Sequence, residues 1–178
     1  MPWRLAVAAA IVASTALGAT LLHVRATTAG DDETLASRGL LFPLKDASRA
    51  IFRDNFEEGR PGHRHEALDI MAPRGTPVVA VDGGRVAKLF TSVAGGITVY
   101  QFDRDEKYVY YYAHLDRYAA GIAEGKWLER GEVLGYVGST GNARPDAPHL
   151  HFTIFRLGSD KRWWKGKAVN PYPYLEAR

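Results

Sequence analysis

Beyond about residue 40, apolar and β-branched residues come in short runs rather than at helical spacing. The runs 77–81, 85–90, 97–102, 108–114, 133–137 and 149–157 each read as a strand. Turn residues separate them, most plainly Asp82-Gly83-Gly84, Ala94-Gly95-Gly96 and Asp103-Arg104-Asp105. Even spacing without long helical periods predicts an all-β, mainly antiparallel domain, folded as a sandwich or a barrel-like sheet. One short helix is expected over 115–125. The ending Asn170-Pro171-Tyr172-Pro173-Tyr174-Leu175 is expected to pin the C-terminus to the domain edge, because proline there excludes a central strand.

The chain starts differently. Residues 5–22 are apolar or small and follow Arg4 and the free amine, which predicts a hydrophobic leader helix within residues 1–29. Val24-Arg25-Ala26 and Thr27-Thr28-Ala29 both suit signal-peptide cleavage. The alternative is an uncleaved anchor, but the run is rich in Ala, Thr and Ser and only weakly apolar, which favours cleavage. Either way the remainder is expected outside the cytoplasm, in the periplasm or cell envelope. Any membrane contact would come through this leader alone. Residues 30–39 are polar and aperiodic and read as a linker, leaving 40–178 as the folded domain.

The chain has 178 residues, 46% of them hydrophobic, enough for one domain with a proper core. It has no cysteine, hence no disulfide framework, no lipid-attachment cysteine and no thiol nucleophile. The formal charge is +3, and removing the two leader arginines, Arg4 and Arg25, leaves +1. A nearly neutral body argues against nucleic acid as a partner. The basic stretch Lys161-Arg162-Trp163-Trp164-Lys165-Gly166-Lys167 suits an anionic polymer, but a solvated loop is the preferred reading.

Candidate chemistry lies in three segments: His65-Glu66-Ala67-Leu68-Asp69, Tyr112-Ala113-His114-Leu115 and His149-Leu150-His151-Phe152. Imidazole and carboxylate together suit zinc. On a strand, His149 and His151 point to one face, roughly 6.5 Å apart, while Leu150 and Phe152 face apolar packing. Both need not bind the metal. One can bind while the other stands where a metal-bound water would be. The segment from His65 to Asp69 resembles the start of a zincin helix, with Glu66 as base, but Asp69 stands where that motif needs histidine. Pro61, Gly62, Pro73, Gly75 and Pro77 also disfavour a helix, so a turn leading into a strand at Leu68-Asp69-Ile70 is expected. Glu66 is then exposed or supporting, and His63 is simply exposed. The tyrosines Tyr108, Tyr110, Tyr111 and Tyr112 are read as sheet packing rather than a groove lining. Gly138-Ser139-Thr140-Gly141 lacks the lysine of a phosphate loop and is expected beside the site.

The chain resembles the lysostaphin/LytM-type (β-lytic) zinc metallopeptidases, which cut peptide bonds in bacterial peptidoglycan. Besides the three segments above, the matching stretches are 72–78, 80–86 and 131–142, in the family's order. Thr153 stands where a common family variant carries an acidic residue. The resemblance implies an antiparallel sheet with a groove walled by loops, and peptidoglycan peptides as partner. It implies His65, Asp69 and His151 as zinc ligands, His149 as general base and His114 as stabiliser of the transition state. Two imidazoles and a carboxylate leave a fourth position for water, whose pKa zinc lowers to about 7. A neutral His149 would accept its proton, and His114 would help hold the oxyanion. The cleaved bond, and any need for a protein activator, are left open.

Two other readings compete. A non-catalytic member of the same fold would bind wall or activate an amidase, but that class would show lost ligands, and all five positions are present. A biotinyl or lipoyl carrier needs an exposed lysine at a hairpin tip, and no such tip is evident.

Overall fold

The computed structural model describes residues 35–45 and 53–176. The leader, and the choice between cleavage and anchoring, fall outside these residues. Among the described residues no helix is long and apolar enough to cross a membrane.

Among the described residues, a helical turn at 35–37 precedes these elements: β1 (Gly59–Arg60), β2 (His63–Arg64), β3 (Leu68–Met71), β4 (Pro77–Val79), β5 (Gly84–Ser92), β6 (Gly96–Asp103), β7 (Tyr108–Tyr118), β8 (Trp127–Leu128), β9 (Val133–Val137), β10 (His149–Leu157), β11 (Gly166–Val169) and α1 (Tyr172–Glu176). β1 and β2 form a small hairpin. The others make one antiparallel sheet in the order β11-β10-β7-β6-β5-β8, with β3 on β10, and β9 joining β7 to β4. This is the mainly antiparallel fold that the run lengths predict.

The helix expected over 115–125 is absent. β7 continues to Tyr118, because Leu115, Arg117 and Tyr118 pair with Val137, Tyr136 and Gly135. Pairing to β9 satisfies the backbone groups that a helix would have used. Beyond it, Gly121 and Gly125 have φ of +77° and +83°, conformations that end regular structure at little cost.

Register fixes the two faces of the sheet. His151 is opposite Ala113 of β7 and Asp69 of β3, and His149 is opposite Met71. Directly opposed residues share a face, so Asp69, His149 and His151 project together. Alternate positions Leu68, Ile70, Tyr110, Tyr112, Leu150, Phe152 and Ile154 are wholly buried on the other side. Tyr112 is pinned there: its hydroxyl donates to Gln101 Oε1 at 3.0 Å and accepts the Val81 amide at 3.0 Å. Tyr108 is buried with these, whereas Tyr111 lies on the histidine face and lines the cleft. One of the four tyrosines thus departs from the packing role expected of them. At the C-terminus, Asn170 Oδ1 caps the Tyr172 amide at 3.0 Å and Leu175 is wholly buried, so the end is pinned as a helical turn.

Candidate active site

His65 reaches the strand face from a tight turn. Its amide donates to Glu58 O and that of Glu66 to Phe56 O, and Glu66 adopts φ of +52°. The turn is braced from β10, where the buried Thr153 hydroxyl donates to Glu66 O at 2.7 Å. The segment is therefore a turn into β3 and not a helix. Glu66 contributes its carbonyl, and its side chain is exposed.

Three ligand atoms converge. His65 Nε2 lies 3.0 Å from Asp69 Oδ1 and 3.2 Å from His151 Nδ1, and His151 Nδ1 lies 3.0 Å from Asp69 Oδ1. Ligands at about 2.0–2.2 Å around a tetrahedral zinc stand about 3.3–3.6 Å from each other. The triangle is slightly tighter than that and of the right chemistry, so the residues fit the ion. The other ring nitrogen of His65, Nδ1, is 3.0 Å from Asn55 O. With its hydrogen there, Nε2 presents a lone pair to the cluster.

His149 and His114 stand beside the triangle. His149 Nε2 is 3.6 Å from Asp69 Oδ1, and Nδ1 is 2.9 Å from Ala147 O. The His114 ring centroid is 4.8 Å from that of His149 and 5.4 Å from that of His151. His114 Nδ1 is 2.8 Å from Thr140 O. In both, Nδ1–H donates to a carbonyl and Nε2 is left to the site.

A backbone irregularity puts His114 there. Strict alternation would turn it to the core face with Tyr110 and Tyr112. Instead its φ is +59°, and between Leu115 and Tyr112 β7 holds one residue more than β6 holds between Ile97 and Val99. Such a bulge re-aims a side chain, and histidine tolerates the left-handed region better than most residues. The 138–141 loop locks it in place. A Cβ on Gly96 or Gly141 would collide with the facing backbone, and one on Gly138 with Asp116 and His114 O. The glycine-rich loop thus stands beside the site, as expected.

Burial dominates the electrostatics. It pushes His114 down to about 4, with His151 and His149 adding repulsion, so the ring is neutral at pH 7. His151 is likewise pushed down, mainly by burial. Burial alone would raise Asp69, but hydrogen bonds from His151 and His65 outweigh it and hold the carboxyl well below its usual range. The cleft encloses about 630 Å³ and is lined by these five residues with Arg60, His63, Tyr111 and Arg144 among others. That size is typical of a ligand-binding cleft. His63 lies at the cleft wall, exposed, and outside the triangle.

All five candidate residues come together. Two supporting residues, Asn55 and Arg60, were not legible beforehand. The Asn55 side chain accepts the Asp69 amide at 3.2 Å, and Arg60 Nη2 donates to Asp69 Oδ2 at 2.8 Å. They lie in an aperiodic segment with no motif to single them out.

Residues 63–171 match peptidase family M23. The L-Ala–D-Glu endopeptidase of Bacillus subtilis is 33% identical over 144 residues, 76% of this chain and 43% of that protein. Lysostaphin of Staphylococcus simulans is 32% identical over 120 residues, 67% of this chain and 23% of that protein. Its solved structure superposes with a TM-score of 0.59 at 26% identity, covering 71% and 49% of the two chains. The murein hydrolase activator NlpD of Salmonella dublin is 29% identical over 125 residues, 70% of this chain and 29% of that protein. The chain spans less than half the length of these relatives. With a matched span over most of its length and a sheet that carries the matched histidines to one face, this chain belongs to peptidase family M23.

Proposed function

We propose that the chain is an exported zinc endopeptidase that hydrolyses peptide bonds of bacterial peptidoglycan, in stem-peptide cross-links or bridges. The observation that carries this is the 3.0–3.2 Å triangle of His65 Nε2, Asp69 Oδ1 and His151 Nδ1, with two further imidazoles turned toward it. These three residues would hold zinc, which supplies a Lewis acid and a water of pKa about 7. His149 is the base. Its Nδ1 is committed to Ala147 O, so Nε2 takes the proton from the attacking water and returns it to the leaving amine. His114 is neutral at rest and offers a lone pair at Nε2. A proton shared from the attacking water lets Nε2 donate to the carbonyl oxygen as negative charge grows there, while Nδ1 stays held by Thr140 O. Residues 1–29 serve as export leader, 30–39 as linker and 40–178 as the catalytic domain.

The relatives named for L-Ala–D-Glu endopeptidase and lysostaphin support peptidoglycan as the substrate. The likeness to a murein hydrolase activator favours a second reading, a non-catalytic activator of another hydrolase. The full set of five residues in one cleft favours the enzyme. Digestion of defined peptidoglycans with mass analysis tests both. The enzyme releases new amino and carboxyl ends and no new reducing sugar ends. Reducing ends would sink the peptidase reading, and no products at all from zinc-loaded protein would favour the activator.

A further inference from the structure

The Trp163-Trp164 pair has no place in the hydrolytic site, yet a chain of rings ties it there. Thr153 faces Tyr111 across β10 and β7, and Tyr111 faces Tyr100 across β7 and β6. Thr153 is two residues from His151, so both tyrosines lie on the histidine face. Ring centroids are 6.1 Å apart from His151 to Tyr111, 4.5 Å from Tyr111 to Tyr100, 4.7 Å from Tyr100 to Trp163 and 5.1 Å from Trp163 to Trp164. Phe90 flanks Trp163 at 5.9 Å. Trp164 is 60% exposed and Phe90 42% exposed. Lys161, Arg162, Lys165 and Lys167 surround the pair, with Asp160 the one acidic residue in that turn.

We propose that this aromatic tract is a sugar subsite: Trp164, backed by Trp163, stacks on an N-acetyl sugar of the glycan. The peptide carried by that sugar then runs past Tyr100 and Tyr111 toward His151. The inference rests on the peptidoglycan reading and deepens it. A pyranose offers a C–H-rich face, which suits the negative face of an indole. One molecule can fill both places. The ring-to-ring steps put Trp164 at most about 20 Å from His151, a path that about six extended residues span. The basic rim suits the carboxylates of acidic stem peptides. Exposed tryptophan among lysines also suits a lipid interface. The sugar is favoured because Trp163 packs onto the catalytic face and makes the tract continuous with the cleft.

Calorimetry on the full chain decides it, with disaccharide-bearing stem peptides and the same peptides stripped of sugar as ligands. Wild type is expected to bind the sugar-bearing form about tenfold tighter. Trp164→Ala should erase that preference without changing affinity for the bare peptide, and Trp164→Phe should keep most of it. Equal affinity of wild type for both ligands, or a preference that survives Trp164→Ala, overturns the subsite. So does loss of binding to anionic phospholipid vesicles in Trp164→Ala with the sugar preference intact. Wild type that prefers the sugar-bearing ligand but hydrolyses nothing counts against the endopeptidase reading and leaves the subsite standing.

Discussion

Arg60 divides the carboxylate of Asp69 between two tasks. Its Nη2 holds Oδ2 at 2.8 Å, while Oδ1 alone faces His65 and His151. A carboxylate fixed in this way presents one oxygen to a metal and keeps the remaining coordination position clear. Groups that orient a ligand typically contribute about 10–100-fold in metal affinity or activity. Arg60→Ala is therefore expected to weaken zinc binding or turnover by about that factor, read by competition titration and initial rates. Unchanged values in both would show that Asp69 is oriented without Arg60.

The protein should hold about one zinc per chain, since His65, Asp69 and His151 complete a three-ligand site with an open position. Chelation should abolish hydrolysis and added zinc restore it. Full activity in protein shown metal-free by elemental analysis would refute the assignment.

The two histidines of β10 should separate by substitution. His151→Ala removes a ligand, so zinc content and activity both collapse. His149→Ala keeps the triangle, so zinc stays while turnover falls about 10²–10⁴-fold, as for a lost general base. His114→Ala should behave like His149→Ala. Zinc stoichiometry beside turnover for all three variants checks this, and metal lost from His149→Ala but kept by His151→Ala would reverse their roles.

Gly96→Ala should disturb the site from a distance. Gly96 has φ of +64°, and its missing side chain leaves room for Thr140, whose carbonyl holds His114. Strain there costs about 1–3 kcal/mol. Thermal denaturation should show that loss, and turnover should fall as the His114 ring shifts. Wild-type values in both measurements would mean that the loop adapts freely.

The metal-free protein should lose stability in mild acid. His114 titrates near 4 in the folded state against about 6.5 unfolded, chiefly because it is buried. The unfolded chain thus binds the extra proton first, so this contribution is fully present above about pH 6.5 and lost as pH falls toward 4. His114→Gln should flatten that part of the stability profile, as followed by denaturant titration across pH. An identical slope in the variant would exclude His114 as its source.

Much of this was written in the sequence. β-Branched and aromatic residues marked His149 to Leu157 as a strand, and period-two alternation sent Leu150 and Phe152 to the core. Asp69 in place of a second histidine, and glycine and proline around His65, argued against a zincin helix. The composition and ordering of the motifs pointed to all five polar residues. What alternation cannot see is the break in its own rule. His114 belongs by parity with the core tyrosines, and only the bulge, bought by contacts of β7 with β9 and with the 138–141 loop, turns it to the cleft. The same pairing overrode the helix expected over 115–125. The two-residue strands β1, β2 and β8 leave no periodic trace at all. Arg60 and Asn55 likewise gain meaning only once the chain brings them against Asp69. Local side-chain chemistry and alternation act over neighbours and so can be read along the chain. Register, bulges and the groups that orient ligands depend on residues distant in sequence, and only the assembled sheet decides them.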